Sequence, residues 1–267
     1  MAFLPALFPD HLVGILVCVT IYAIGSGLIE VLCSPIIEAC PFPDKEGMMS
    51  LLHSFYCWGV VGVILGSTLF FALFGIENWR ILTCLWALIP LYNIINFAIC
   101  PIEPIVEDSE GMSMSQLFKL NMFWPFLLLM VATGASKASM AQWASAFAEA
   151  SLGVDKTIGD LAGPCGFAFC MGLGRLWYGK KGQNLDLSTY MTWAGILCFA
   201  SHSCASLAPI PLLSFIGCIL SGLAVAIMWP GSISLTSASI PGGGTALIAL
   251  LALAGDAGGT LGPSIVG

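Results

Sequence analysis

The chain has 267 residues, of which 58% are hydrophobic and 9% are charged, with a formal net charge of −7 and a mean hydropathy of +0.96. Soluble domains carry about 25% charged residues, so this composition excludes a water-soluble globular protein and predicts an integral membrane protein. The eight Lys and Arg residues form no basic patch, which excludes a nucleic-acid-binding surface.

The hydropathy pattern predicts an all-α, polytopic transmembrane helix bundle with eight spans, because a helix of about 20 apolar residues crosses the hydrocarbon. The polar segment Pro101–Lys119 separates three spans from five. We therefore expect a partial N-terminal helical half at 1–100, a linker at 101–119 and a partial C-terminal half at 120–267. In chain order, the predicted spans are Leu12–Ile37, Met48–Phe74, Trp79–Ile99, Leu120–Ala148, Thr157–Tyr178, Ser188–Ala208, Leu212–Thr236 and Thr245–Gly267.

The orientation of the bundle follows from its basic loops. The densest of these runs from Arg175 to Lys181, after the fifth span. Cytoplasmic loops carry an excess of Lys and Arg, so we expect this loop and the linker in the cytoplasm. The chain is then a multi-pass plasma-membrane protein with both termini on the extracellular side.

The first span contains an unusual acid. Glu30 lies in an otherwise carboxylate-free apolar run, and Ser34 and Glu38 continue one polar stripe on the same helix face. An ionisable group at membrane depth costs roughly 2.5–3.5 kcal/mol and commonly marks an ion or substrate path. The alternative is a glutamate that is hydrogen-bonded between helices and stabilises packing.

The second span brings a histidine to the same depth. Antiparallel packing of the first two spans places His53 beside Glu30, with Tyr56 one turn further on. A carboxyl group next to an imidazole suits proton binding. A histidine that only joins two helices is the alternative.

Amide side chains follow in the third span, where Asn93 and Asn96 share a helix face after Pro90. Amides hydrogen-bond sugar hydroxyls, but they also hold helices together at roughly 0.6 kcal/mol each. Both interpretations of Asn93 remain open.

The fourth span carries Lys137 near its middle, and a lysine there requires a partner or a cavity. Gln142 and Trp143 follow, where an amide and an indole ring suit a bound sugar. Trp143 is also consistent with an interfacial anchor. Asp256, in the last span, is a possible partner for Lys137.

The fifth span ends in the glycine-rich segment Gly172–Gly182, which contains Arg175, Lys180 and Lys181. Basic side chains at a cytoplasmic helix end can form gating salt bridges. The segment lacks the Gly-x-x-x-x-Gly-Lys-Ser/Thr pattern of a phosphate-binding loop.

Several classes of function are not expected. No nucleophile–base–acid constellation lies in a water-facing setting, so we expect no enzyme. The eleven cysteines lie mostly in apolar runs and form no Cys-x-x-Cys pair, which indicates core residues. We expect no metal and no cofactor.

The segment Gly174–Gly182 resembles the cytoplasmic loop signature of the major facilitator superfamily, in its second-half copy. The resemblance implies that the first span here is the fourth helix of that fold and the last span the eleventh. It also implies a fragment that lacks the first three helices and the last one.

Within that superfamily, the chain is similar to the fucose permease-like branch of proton–sugar symporters. The branch has a fourth helix patterned Gly-x-Gly-x-x-Glu-x-x-x-x-Pro, matched by Gly25, Gly27, Glu30 and Pro35. The resemblance assigns proton coupling and sugar binding to Glu30.

The following helix of the branch carries Gln and Asn before Phe-Gly. The aligned segment Leu52–Gly59 has His53 and Tyr56 at those two positions. The resemblance therefore implies a polar site here with a different set of side chains.

Together these features predict secondary active transport of a small polar solute, a sugar, coupled to protons, by a monomer in the lipid bilayer. Two alternatives remain: a drug or metabolite antiporter of the same superfamily, and a non-transporting membrane scaffold. The expected proton-coupling and substrate-binding residues are Glu30, His53, Asn93, Lys137, Gln142, Trp143 and Asp256, with Arg175, Lys180 and Lys181 in the gating loop.

Overall fold

The structure is a computed structural model that describes residues 11–100 and 111–267. Within these two ranges the chain is helical and contains no strand. The first ten residues of the predicted linker, 101–110, lie outside the described residues, and its end forms a short helix. The helices are α1 His11–Ala39, α2 Lys45–Phe74, α3 Trp79–Trp86, α4 Leu88–Ile99, α5 Met114–Lys119, α6 Phe123–Leu152, α7 Lys156–Asp160, α8 Gly166–Lys181, α9 Leu187–Leu207, α10 Pro211–Val225, α11 Met228–Ser239 and α12 Gly244–Val266.

Five helical segments of the described chain are long and apolar enough to cross a membrane. The other three predicted spans coincide with α6, α8 and α9, which fall outside that group. An all-helical protein with several membrane-length helices is thus confirmed, while eight spans, the division into halves and the orientation stay predictions. The five segments are Leu12–Ala39, Lys45–Phe74, Ile76–Ile99, Pro211–Ser239 and Gly244–Val266.

Helices α6 and α12 form the most extensive contact in the bundle. A Cβ atom on Gly134 would collide with the backbone carbonyl of Gly255, and one on Gly258 would collide with that of Val131. Small residues let helix backbones approach this closely in lipid. The glycines therefore fix the separation of α6 and α12, and with it the positions of the polar side chains that these helices carry.

A second interface joins α2 to α8, and α11 packs against α2 and α6. At one end of the bundle, Met49 of α2 is fully buried in an apolar cluster with residues of α5, α6, α11 and α12. The turns after α1, α8 and α11 meet at this same end. The buried apolar cluster fills the centre of this end, and a larger open cavity lies deeper in the bundle.

Helix α4 is the least packed of the helices. All of its residues except Asn96 are exposed. It continues from α3 after a break at Ala87, three residues before Pro90, which has no backbone N–H to donate. The third predicted span is therefore a kinked helix on the outside of the bundle.

Candidate functional site

A cavity of about 560 Å³ lies between α2, α6, α11 and α12. This volume falls within the range of about 300–1,000 Å³ that is typical of small-molecule sites. Three residues predicted from the sequence, Lys137, Gln142 and Asp256, are brought together in its wall. The side chains of the wall are those of Tyr56, Lys137, Ala138, Ala141, Gln142, Trp229, Asp256 and Thr260, and its glycines are Gly134, Gly255 and Gly259.

Lys137 lies between two aromatic rings. Its Nζ is 4.4 Å from the ring centroid of Tyr56 and 5.2 Å from that of Trp229. Both distances suit a cation–π interaction, which is worth about 0.5–2 kcal/mol. No carboxylate oxygen of the described residues lies within 4.0 Å of this ammonium group. The rings thus hold the charge in place without neutralising it.

Asp256 is exposed to the same cavity from α12. One turn later, the Thr260 hydroxyl donates to the backbone carbonyl of Asp256 at 3.0 Å, and not to its carboxylate. The expected pair of Lys137 and Asp256 thus shares one cavity but is not a salt bridge. The close contact of α6 and α12 fixes the distance between the two helices. The Lys137 ammonium and the Asp256 carboxylate both face the cavity.

Glu30 and His53 lie beside this cavity. The prediction that they share a depth agrees with a contact one turn from Glu30, where Ser34 Oγ lies 3.3 Å from His53 Nε2. Glu30 is partly buried and is not part of the cavity wall. It lies close enough to Asp256, Lys137 and Arg175 for their charges to act on its carboxyl group.

Arg175 departs from the expected gating salt bridge, since it is 2% exposed in the interior of the bundle. Its Nε donates to the carbonyl of Ala226 at 2.8 Å, and its Nη1 to that of His53 at 2.8 Å. Pro230 stands four residues after Ala226 and has no N–H. The Ala226 carbonyl therefore has no helical donor, and the guanidinium group supplies one.

The rest of the predicted gating loop is simpler. Lys180 and Lys181 are exposed, and they take part in none of the ion pairs among the described residues. The neighbouring Tyr178 hydroxyl instead donates to Glu46 Oε2 at 3.1 Å, which joins α8 to the first turn of α2. A tyrosine–carboxylate bond thus occupies the place where a basic side chain was expected.

Two predicted residues lie away from the cavity. Asn93 is exposed on α4, because that helix packs on the outside of the bundle. Trp143 is partly buried, and its Nε1 donates to the carbonyl of Pro263 at 3.1 Å. Trp143 therefore joins α6 to the end of α12, where Pro263 lies.

Replacing Trp143 with Phe removes that interhelical hydrogen bond while keeping an aromatic side chain. We expect the free energy of unfolding to fall by about 1 kcal/mol, the usual value of a net hydrogen bond. Reversible SDS unfolding of the purified protein measures it. Trp193→Phe is the control, because Trp193 is 64% exposed on α9; equal effects of both changes would contradict the prediction.

Two residues of the cavity wall, Tyr56 and Trp229, were not predicted as site residues from the sequence. Tyr56 was placed one turn after His53, but which side of α2 it occupies depends on the packing of α2. Trp229 is the second residue of α11, next to Pro230, in a helix whose polar residues are not gathered on one face that would orient it. Only the crossing of α2, α6 and α11 brings both rings to Lys137.

The site offers one cation, one carboxylate, an amide and hydroxyl groups around a single opening. Such a wall can bind a polar solute and, through its carboxylate, a proton. It has the composition of a binding site, with a few polar groups placed among apolar ones. Comparison with protein families, with curated proteins and with solved structures finds no significant match to this chain.

Proposed function

We propose that the chain is part of a secondary active transporter of the major facilitator superfamily that moves a small polar solute, a sugar, together with protons across the plasma membrane. The observation that carries the proposal is the cavity in which Lys137, Gln142 and Asp256 meet. These groups lie near the middles of α6 and α12, at a depth where an ionisable side chain costs several kcal/mol unless it faces water or a partner. The free-energy cost of placing these groups there is offset if a polar solute binds among them.

The alternatives account less well for this wall. A drug or metabolite antiporter favours a cavity built of Phe, Met and Trp, whereas this wall includes Gln142, Asp256 and Thr260. A scaffold predicts that Glu30 and Lys137 are bonded to neighbouring helices and that no cavity opens between them, whereas Lys137, although held by the rings of Tyr56 and Trp229, lines an open cavity. Both observations favour solute binding.

In this proposal, Glu30 and Asp256 carry the proton, and Lys137 and Gln142 bind the solute. The electrostatic interaction between the two carboxyl groups means that protonation of one affects the other. The electrical driving force is about 2.3 kcal/mol per charge for each 100 mV. Arg175 is a structural residue in this scheme, since its donors are engaged by backbone carbonyls.

The test is solute-driven proton uptake by proteoliposomes that contain the protein and a trapped pH-sensitive dye, with D-glucose and D-glucuronate as probes. We expect at least one sugar to drive proton uptake, and Glu30→Gln and Asp256→Asn each to reduce the rate at least tenfold. Neutralising a carboxyl group removes a proton carrier but keeps the size of the side chain.

Glu38→Gln is the matched control, because Glu38 lies on the same helix as Glu30 and pairs at 3.9 Å with Lys45 at the packed end of the bundle. Its rate should stay within twofold of wild type. The proposal is wrong if neither sugar drives proton uptake, or if both Glu30→Gln and Asp256→Asn transport at the wild-type rate.

A further inference from the structure

The charge of Lys137 is the feature of the cavity that the transport of a neutral sugar does not use. Among the described residues of the wall, Lys137 is the one cation. Its ammonium lies over the rings of Tyr56 and Trp229, which offer a face of partial negative charge but no full counter-charge. The cation therefore lacks a close carboxylate partner at a depth where such a partner is expected.

Asp256 does not supply that partner, although it lies in the same wall. The two charged groups are more than 4.0 Å apart, because they are absent from the ion pairs of the described residues. The backbones of α6 and α12 cannot shift easily to bring them together, since they already touch at Gly134 and Gly255. A gap of this kind leaves the ammonium group available to an anion from the solution.

The other groups of the wall suit hydroxyl groups. Gln142 offers two N–H donors and an acceptor, and the Asp256 carboxylate accepts hydrogen bonds. Tyr56 is 53% exposed, so its ring is accessible to the apolar face of a sugar. One solute that meets all of these groups is a ring with several hydroxyls and one carboxylate.

We infer that the cavity binds a sugar acid, with its carboxylate on Lys137 and its hydroxyls on Gln142 and Asp256. This inference rests on the proposed function and names the substrate class of the same site. It also explains why a proton is taken up with the solute, because an anion that enters beside Asp256 and Glu30 favours the protonated form of a carboxyl group there. A solute of charge −1 that enters with one proton then crosses the membrane without net charge.

The test is equilibrium binding to the purified protein in detergent, measured by isothermal titration calorimetry with D-glucuronate and with D-glucose. The two probes differ at one carbon, which carries a carboxylate in the first and a hydroxymethyl group in the second. We expect the wild-type protein to bind glucuronate at least tenfold more tightly than glucose. Raising the salt concentration should weaken glucuronate binding and leave glucose binding unchanged, since salt screens charge pairs.

Variants of Lys137 identify the carboxylate contact. Lys137→Gln should weaken glucuronate binding at least tenfold and change glucose binding less than twofold, and Lys137→Arg should retain part of the preference. Lys119→Gln is the control, because Lys119 is an exposed lysine at the end of α5. The melting temperature of each variant shows whether it folds, and the wild-type comparison of the two probes needs no variant.

Several outcomes would overturn the inference: equal binding of both probes, binding of neither, a preference for the zwitterion L-alanine, or a preference for glucuronate that survives Lys137→Gln. The result is separable from that of the proposed function. If glucose binds and drives proton uptake without a preference for glucuronate, the transporter stands and the sugar-acid class fails. If glucuronate binds through Lys137 without any proton uptake, the site stands and the transport proposal fails.

Discussion

Replacing Arg175 with Leu is expected to lower the free energy of unfolding by about 3 kcal/mol. The change removes the two hydrogen bonds that this charged side chain donates to backbone carbonyls, each worth about 1.5 kcal/mol at the low end of its range, and a weaker one to Cys57 Sγ. It also leaves the carbonyl of Ala226 without a donor, because Pro230 cannot supply a backbone N–H. Since Arg175 joins α8 to α2 and to the junction of α10 and α11, the loss affects two contacts of the bundle at once.

Reversible SDS unfolding measures this loss, and a second substitution tests its cause. Pro230→Ala restores an N–H four residues after Ala226, so we expect the penalty of Arg175→Leu to be smaller by about 1 kcal/mol in that background. A double-mutant cycle isolates this coupling. Lys180→Leu is the control on the same helix and should change the stability by less than about 0.5 kcal/mol. A penalty for Arg175→Leu no larger than that of the control would contradict the prediction.

Replacing Gly258 with Ala is expected to lower the free energy of unfolding by about 2 kcal/mol, even though Ala is the better helix former. The new Cβ would overlap the carbonyl of Val131 on α6, and overpacking of this kind costs about 1–3 kcal/mol. The neighbouring atoms are backbone, so the clash is relieved only if α6 and α12 move apart. Such a movement would also shift Lys137 relative to Asp256.

Gly62→Ala is the matched control for this substitution. Gly62 lies in the middle of the α2 sequence and is exposed at the surface, and a Cβ built on it meets no atom within 4 Å. We expect Gly62→Ala to leave the stability unchanged or to raise it by up to about 1 kcal/mol, the gain in helix propensity. SDS unfolding compares the two variants, and an equal response would show that the α6–α12 contact does not limit the packing.

The helices themselves were predictable because apolar length and polar interruption are local properties of a sequence. Every predicted span coincides, within a few residues, with one helix or with two consecutive helical segments, while the short helix at the end of the linker was not predicted. The sequence also named two side-chain groupings as candidates, and the tertiary structure brings the members of each close together. Lys137 and Asp256 lie near the middles of their spans and share the cavity, and His53 meets the face of α1 that carries Ser34.

The direction in which a side chain points from its helix, in contrast, depends on the helices that pack around it. An apolar helix that is hydrophobic on all sides has no stripe to orient it, so the sequence does not reveal that Asn93 points outward or that Trp143 bonds to Pro263. Arg175 illustrates the limit most clearly. A basic residue near a glycine-rich turn is ordinarily a surface residue, but here it is buried because α11 contains a proline that leaves a carbonyl without its donor.

The amino-acid sequence by itself determined that this is an all-helical protein with several membrane-length helices, and it predicted which ionisable groups lie at membrane depth, because the cost of each polar group in a long apolar run can be assessed locally. The tertiary structure alone decided which of those groups meet. Close contact of α6 and α12 at glycines, and the crossing of α2 and α11 over them, place Lys137 between two aromatic rings and across an open cavity from Asp256. Those contacts join residues that are far apart in the chain, so no local pattern specifies them.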